Sequence, residues 1–88
     1  MAHSLSARKR IRQNATRAER NKPVRTRAAN TVRDARLAIS AGADDAADRV
    51  REAQAALDSA ARRGIIHSNA AARRKSRLAR QLKAIATA

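Results

Sequence analysis

Apolar residues return at every third or fourth position through most of this chain, and its two glycines, Gly42 and Gly64, stand where that rhythm lapses. Such a recurrence places side chains on one face of a helix. Val24, Ala28, Val32, Ala35 and Ile39 follow one another at four, four, three and four residues. Ala46, Val50, Ala53, Leu57 and Ala60 repeat at four, three, four and three, a narrow seam of the kind that lines bundles. Ala71, Leu78, Leu82 and Ile85 recur at seven, four and three. The pattern predicts an all-α fold, a three-helix bundle whose long, basic first helix extends beyond the other two. One domain is expected over 1–88: a basic extension of helix 1 over 1–22, the rest of that helix over 24–41, helix 2 over 45–63 and helix 3 over 68–86.

The ends of these segments carry their own signals. Ser6, Asp44 or Asp45, and Ser68 are placed to cap helices by accepting a hydrogen bond from a free backbone N–H of the first turn. Gly42 suits the left-handed position that follows a helix, and Gly64 closes the second one. Ile65 and Ile66 are expected to pack the corner before helix 3. Short connections make the second and third helices antiparallel neighbours. Pro23 interrupts the first helical pattern, because its ring presses on the carbonyl of Glu19 and it has no N–H to donate. It reads as a kink or short break within one long rod. On helix 2, Asp45 with Arg49 and Asp58 with Arg62 stand four apart, where opposite charges support an exposed helix.

Charge divides the chain into three zones that sum to a net of +14. Residues 1–33 hold ten Lys or Arg against one acid, Glu19. Residues 34–63 hold five against six, and residues 64–88 hold six against none. The near-neutral middle helix is therefore assigned the side away from any polyanion, and the flanks the side towards it. Before the proline, Arg8, Lys9, Arg10, Arg12, Arg17 and Arg20 surround the few apolar residues on all sides. That fits a rod entering between anionic elements, and it also fits a solvated, disordered basic arm. The core is thin: alanine supplies 24 residues, larger aliphatics besides Met1 supply thirteen, and no Phe, Tyr or Trp is present.

Several chemistries are excluded. His3 and His67 lack the spacing of a metal pair, and His67, just ahead of a helix, suits a corner or backbone contact better than a general base. Asp44 and Asp45 serve better as caps than as an acid–base pair. Two glycines make no phosphate-cradling loop, and without cysteine there is no disulfide or thiolate site. The chain reads as no enzyme and as needing no cofactor. No run of eighteen apolar residues occurs, so no membrane span is expected. The opening MAHSLSARKRIRQNATR lacks the apolar core of a secretory signal. Its arginine and serine with few acids also describe an organelle transit peptide, but the basic character continues past the usual cleavage region.

With no aromatics the chain has no platform for splayed bases, which leaves phosphate and sugar contact guided by shape. Arginine outnumbers lysine seventeen to four, and its forked donors suit phosphate. Folded RNA and duplex DNA both remain possible partners on these grounds, the latter for a small basic DNA-compacting nucleoid protein. A compactor needs only charge, whereas this chain devotes a neutral helix and two caps to a defined bundle, which favours RNA.

The stretch GIIHSNAAARRKSRLARQL, residues 64–82, resembles the Gly-x-x-His-x-Asn-x-Ala-Ala-Arg signature of the bacterial small-subunit ribosomal protein twenty family through Gly64, His67, Asn69, Ala71, Ala72 and Arg73. SARKRIRQ, residues 6–13, is similar to that family's basic N-terminal run, and AISAGADDAA, residues 38–47, to the turn between its first two helices. Asn21 falls where members often carry asparagine, while Pro23 and the absence of aromatics depart from the usual pattern. The resemblance implies a non-enzymatic constituent of the small ribosomal subunit. Such a protein binds small-subunit rRNA directly and early in assembly, near the base of the body, and clamps several rRNA helices. It further implies a cytoplasmic, ribosome-associated protein that meets other ribosomal components only peripherally, has no membrane partner and is not a homo-oligomer. At matching positions the implied RNA contacts are Ser6, Arg8, Lys9, Arg10, Arg12, Arg17, Arg20, His67, Asn69, Arg73, Arg74 and Arg77. The adjoining Lys22, Arg25, Ser68, Lys75 and Arg80 complete the expected surface.

So thin a core and so much like charge predict a free protein that is only partly ordered and is completed by its partner. Far-ultraviolet circular dichroism should show helix gained on binding; equal, fully helical spectra with and without the partner would contradict this.

Overall fold

The computed structural model describes residues 5–86, which form three α-helices and no strand: α1, Leu5–Ser40; α2, Ala46–Arg62; and α3, Ser68–Ala86. At about 1.5 Å per residue, the 36 residues of α1 run roughly 54 Å. That helix sets the long axis of a molecule measuring 61 × 19 × 19 Å. Its C-terminal half lies against α2, which folds back antiparallel; α3 reverses again and packs mainly on α2. The long rod with two shorter helices on one end is the expected architecture.

Pro23 does not break α1, which continues through it. A proline inside a helix forfeits one hydrogen bond and crowds one carbonyl, at about 3 kcal/mol. Ending the helix there would strand four carbonyls and open four N–H groups on the next segment. The single loss is the smaller one. Thr16 and Thr31 also stay compatible with the helix by turning their hydroxyls back, Thr16 to the Arg12 carbonyl at 3.0 Å and Thr31 to the Arg27 carbonyl at 2.9 Å.

Both glycines end helices in the left-handed conformation, Gly42 at φ 62° and Gly64 at φ 71°. After α1 the Gly42 N–H donates to Ile39 and the Ala43 N–H to Ala38; after α2 the Gly64 N–H donates to Ala61 and the Ile65 N–H to Ala60. This paired arrangement satisfies carbonyls that would otherwise be orphaned, and it reverses the chain within a few residues. The two turns are built alike.

The helix starts differ from expectation. Leu5 is already helical, so Ser6 lies inside the first turn of α1 rather than capping it. Asp45 does stand at the cap position of α2, but its φ of −90° and ψ of 9° are turn-like rather than extended, and its side chain makes no cap bond. The carboxylate accepts instead from Arg49 Nε at 3.1 Å, the anticipated four-residue pair. At α3 the residue ahead of the helix is His67, not Ser68, and its ring does the capping (below).

The core follows the seams read from the spacing. Ala28, Val32, Ala35 and Ile39 of α1 meet Ala46, Val50, Ala53 and Leu57 of α2 and Ala71 and Leu78 of α3, all buried, and Ala60 of the α2 seam is buried too. Ala56 is buried as well, widening the α2 seam by one position. Alanine at most of these sites brings the helices close while adding little volume of its own. Ile66 and Leu82 pack partly on the cluster. Ile65 is half-buried. Ile85, expected on the seam, is 38% exposed, because α3 outlasts the partners it packs against.

Leu78 is 1% exposed, so Leu78→Ala should lower the unfolding free energy by about 2–5 kcal/mol, while Ile85→Ala should stay within about 0.5 kcal/mol. Urea unfolding of both variants checks this; equal losses would contradict the core boundary.

Candidate nucleic-acid interface

From Leu5 to Lys22 every side chain is exposed except those of Ala7 and Asn21, which are half-buried. Burial on α1 begins only at Ala28. This half of α1 carries Arg8, Lys9, Arg10, Arg12, Arg17, Arg20 and Lys22 against Glu19 alone, and Ser6 and Arg25 are exposed on the same rod. Lys9, Arg12, Arg17 and Arg20 line one shallow groove along it, and Arg17, Lys22 and Arg25 line a second. None of these cations has an ion pair among the described residues. The rod is too narrow to hide charge and too cationic to pair it.

Helix α3 supplies the second group. Arg73, Arg77 and Arg80 follow at four and three residues and form one exposed stripe, with Arg74 exposed beside them. His67, Ser68 and Asn69 lie exposed at its start. There the His67 ring turns back on the helix: Nδ1 accepts the backbone N–H of Asn69 at 3.1 Å, while the His67 carbonyl accepts from Ala71 at 3.1 Å. Nδ1 acts as acceptor, so the neutral ring carries its proton on Nε2, leaving one outward donor in a fixed place. The histidine thus closes the helix start and keeps an N–H of its exposed ring available there.

Lys75 behaves otherwise. Its ammonium donates to the Asp58 carboxylate of α2 at 2.8 Å, with the two side chains 35% and 47% exposed. Asp58 therefore bonds across helices rather than to Arg62 in its own, as expected from their spacing. Lys75 fills the place left open by the seven-residue step from Ala71 to Leu78, since 71, 75, 78 and 82 make an unbroken seam at four, three and four. Of the expected contacts it alone is drawn into the bundle. A surface pair of this kind contributes about 0–1 kcal/mol beside the apolar packing of α3 on α2.

The middle helix is less uniform than its net charge. Asp44, Asp45, Asp48 and Glu52 crowd its beginning, and most of its ion pairs form there: Arg49 with Asp45 and Glu52, Arg51 with Asp48. The hydrogen bond to Asp45, then the charges of Asp45 and Glu52, push the Arg49 pKa above its ordinary value. Arg62 and Arg63 stand exposed at the other end, near the root of the rod. Averaged with the acids at the start of α2, their charge does not show in the helix total.

The displayed charge and the alanine-seamed core define a class: a small helical bundle that projects an unneutralised cationic rod. More narrowly, the chain belongs to the ribosomal protein S20 family, whose model matches residues 2–83. It is 56% identical over 81 residues to the small ribosomal subunit protein bS20 of Roseiflexus sp. (strain RS-1), covering 92% of this chain and 89% of that one. It is 44% identical over 86 residues to the protein of the same name from Nitrosomonas europaea, covering 97% and 99%.

His67→Ala should cost α3 its cap and lower stability by about 0.5–2 kcal/mol, whereas His67→Asp should restore most of it. Chemical denaturation of both variants tests this; an Ala variant as stable as the parent would remove the capping role.

Proposed function

We propose that this protein is a structural constituent of the small ribosomal subunit that binds small-subunit rRNA directly through phosphate and shape contacts, and that it clamps several rRNA helices during assembly. The observation that carries the reading is the exposed, unpaired cationic length from Arg8 to Arg25 in a chain of this family. Like charges held along a narrow rod repel one another, and phosphates arranged around it relieve that repulsion while releasing their own counterions. The rod enters between RNA segments. The stripe Arg73–Arg77–Arg80 presses on backbone from the bundle, and the Nε2–H of His67 donates beside it. Seventeen arginines and no aromatic side chain fit bidentate phosphate contact rather than base stacking. The role is architectural and non-catalytic, on cytoplasmic ribosomes.

Binding to small-subunit rRNA fragments in competition with bulk duplex DNA at matched salt tests the partner, and preference for DNA would overturn it. Engagement of roughly 6–10 phosphates should give a slope of log affinity on log salt of about −5 to −9 on the duplex scale. Arg73→Ala with Arg77→Ala should weaken binding and flatten that slope without unfolding the bundle. Unchanged affinity in this double variant would remove the α3 stripe from the interface.

A further inference from the structure

The charged groups assigned above leave one cationic feature unused. Where the rod leaves the bundle, Pro23, Val24 and Arg27 of α1 and Ala56, Ser59 and Arg63 of α2 line a common notch. Its two rims are guanidinium groups, both exposed, and neither has an acidic partner among the described residues. Ala56 is buried and Val24 half-buried, so the floor is apolar, and the half-buried Ser59 adds a hydroxyl. Two unpaired arginines beside one notch repel each other until an anion lies between them.

The notch also points its own way. At about 100° per residue, Ala56, Ser59 and Arg63 lie roughly 130° around α2 from Asp58. Asp58 is the residue that faces α3 through Lys75. That separation runs across the solvent side of α2; on the bundle side the core seam of Ala53, Leu57 and Ala60 divides the notch from Asp58. A ligand in the notch therefore approaches α2 on the flank away from α3 and cannot be the strand that meets the Arg73–Arg77–Arg80 stripe at the same point.

We propose that this notch is a further binding site, one that takes the ribose–phosphate backbone of an RNA segment distinct from the segment met by α3. A phosphate sits between Arg27 and Arg63, the sugar rests on Val24 and Pro23, and Ser59 faces the 2′-hydroxyl. The C-terminal turn of α2 thereby belongs to the RNA-facing part of the molecule, although the rest of that helix does not. The site rests on the proposed rRNA partner, and its test is arranged to fail separately.

The experiment compares the full chain with Arg27→Ala/Arg63→Ala and with Arg73→Ala/Arg77→Ala, each titrated onto small-subunit rRNA across a salt series and footprinted on it. Circular dichroism and melting serve as folding controls, and Arg27→Lys/Arg63→Lys retains the charge should the alanine pair fold poorly. The notch variant should flatten the salt slope by about one to two units. It should also lose protection at nucleotides other than those lost by the α3 variant, with the lysine pair recovering most of the slope. An unchanged slope and footprint in the notch variant, with the α3 variant impaired, overturns the notch and leaves the rRNA reading standing. No change in either variant overturns the notch and removes the α3 stripe as well, while preference for duplex DNA over rRNA in the wild-type chain overturns the partner itself. Normal rRNA binding with loss of contact to an acidic protein neighbour in reconstituted subunits gives the notch to a protein, and likewise overturns the proposal.

Discussion

Repulsion among cations that no acid of the chain neutralises is the constraint around which the molecule is arranged. The projecting half of α1 holds seven Lys or Arg against Glu19, and α3 displays Arg73, Arg74, Arg77 and Arg80, none of them with an ion pair among the described residues. A compact shape would bring these groups together at an energy that a core of mostly alanine could not offset. The fold keeps them apart by length: α1 carries one set beyond the bundle, and α3 turns the other outward. Acids are collected where they serve the protein itself, at the start of α2 and at the Asp58–Lys75 bond.

Alanine has a second consequence. Seams of Ala28, Ala35, Ala46, Ala53, Ala56, Ala60 and Ala71 let helices approach closely, and five larger side chains, Val32, Ile39, Val50, Leu57 and Leu78, complete the buried set. Such packing holds two short helices on one end of a long one and has nothing to spare for the other end. Leu5 and Ile11 are exposed together in one shallow hollow with Arg8 and Arg12, and Leu37 is exposed further along α1. The projecting rod packs against nothing in the bundle, which ties the economy of the core to the function proposed for the charge.

Much of this was legible in the residues alone, for reasons that can be named. Gly42 and Gly64 mark the turns because only a residue without a side chain enters the left-handed position freely, and the period of three and four located nearly every buried residue. The failures share a cause as well. Ser68 looks like a better cap than His67 by residue type, yet the position just outside α3 belongs to His67, and its imidazole nitrogen does the same work. Lys75 was grouped with its basic neighbours by charge, when the seam placed it inward; Asp58 was paired within its helix, when the nearer cation lay on the next one. In each case local residue type was weighed where the position on the helix decided.

Hydrogen–deuterium exchange on the full chain, free and bound to small-subunit rRNA, tests the central claim most directly. The account predicts strong new protection of amides over 5–25 and 67–80 on binding, and little change over 42–52, where the acids lie. Protection concentrated at 42–52, with the rod and the start of α3 exchanging as fast as in the free protein, would contradict it.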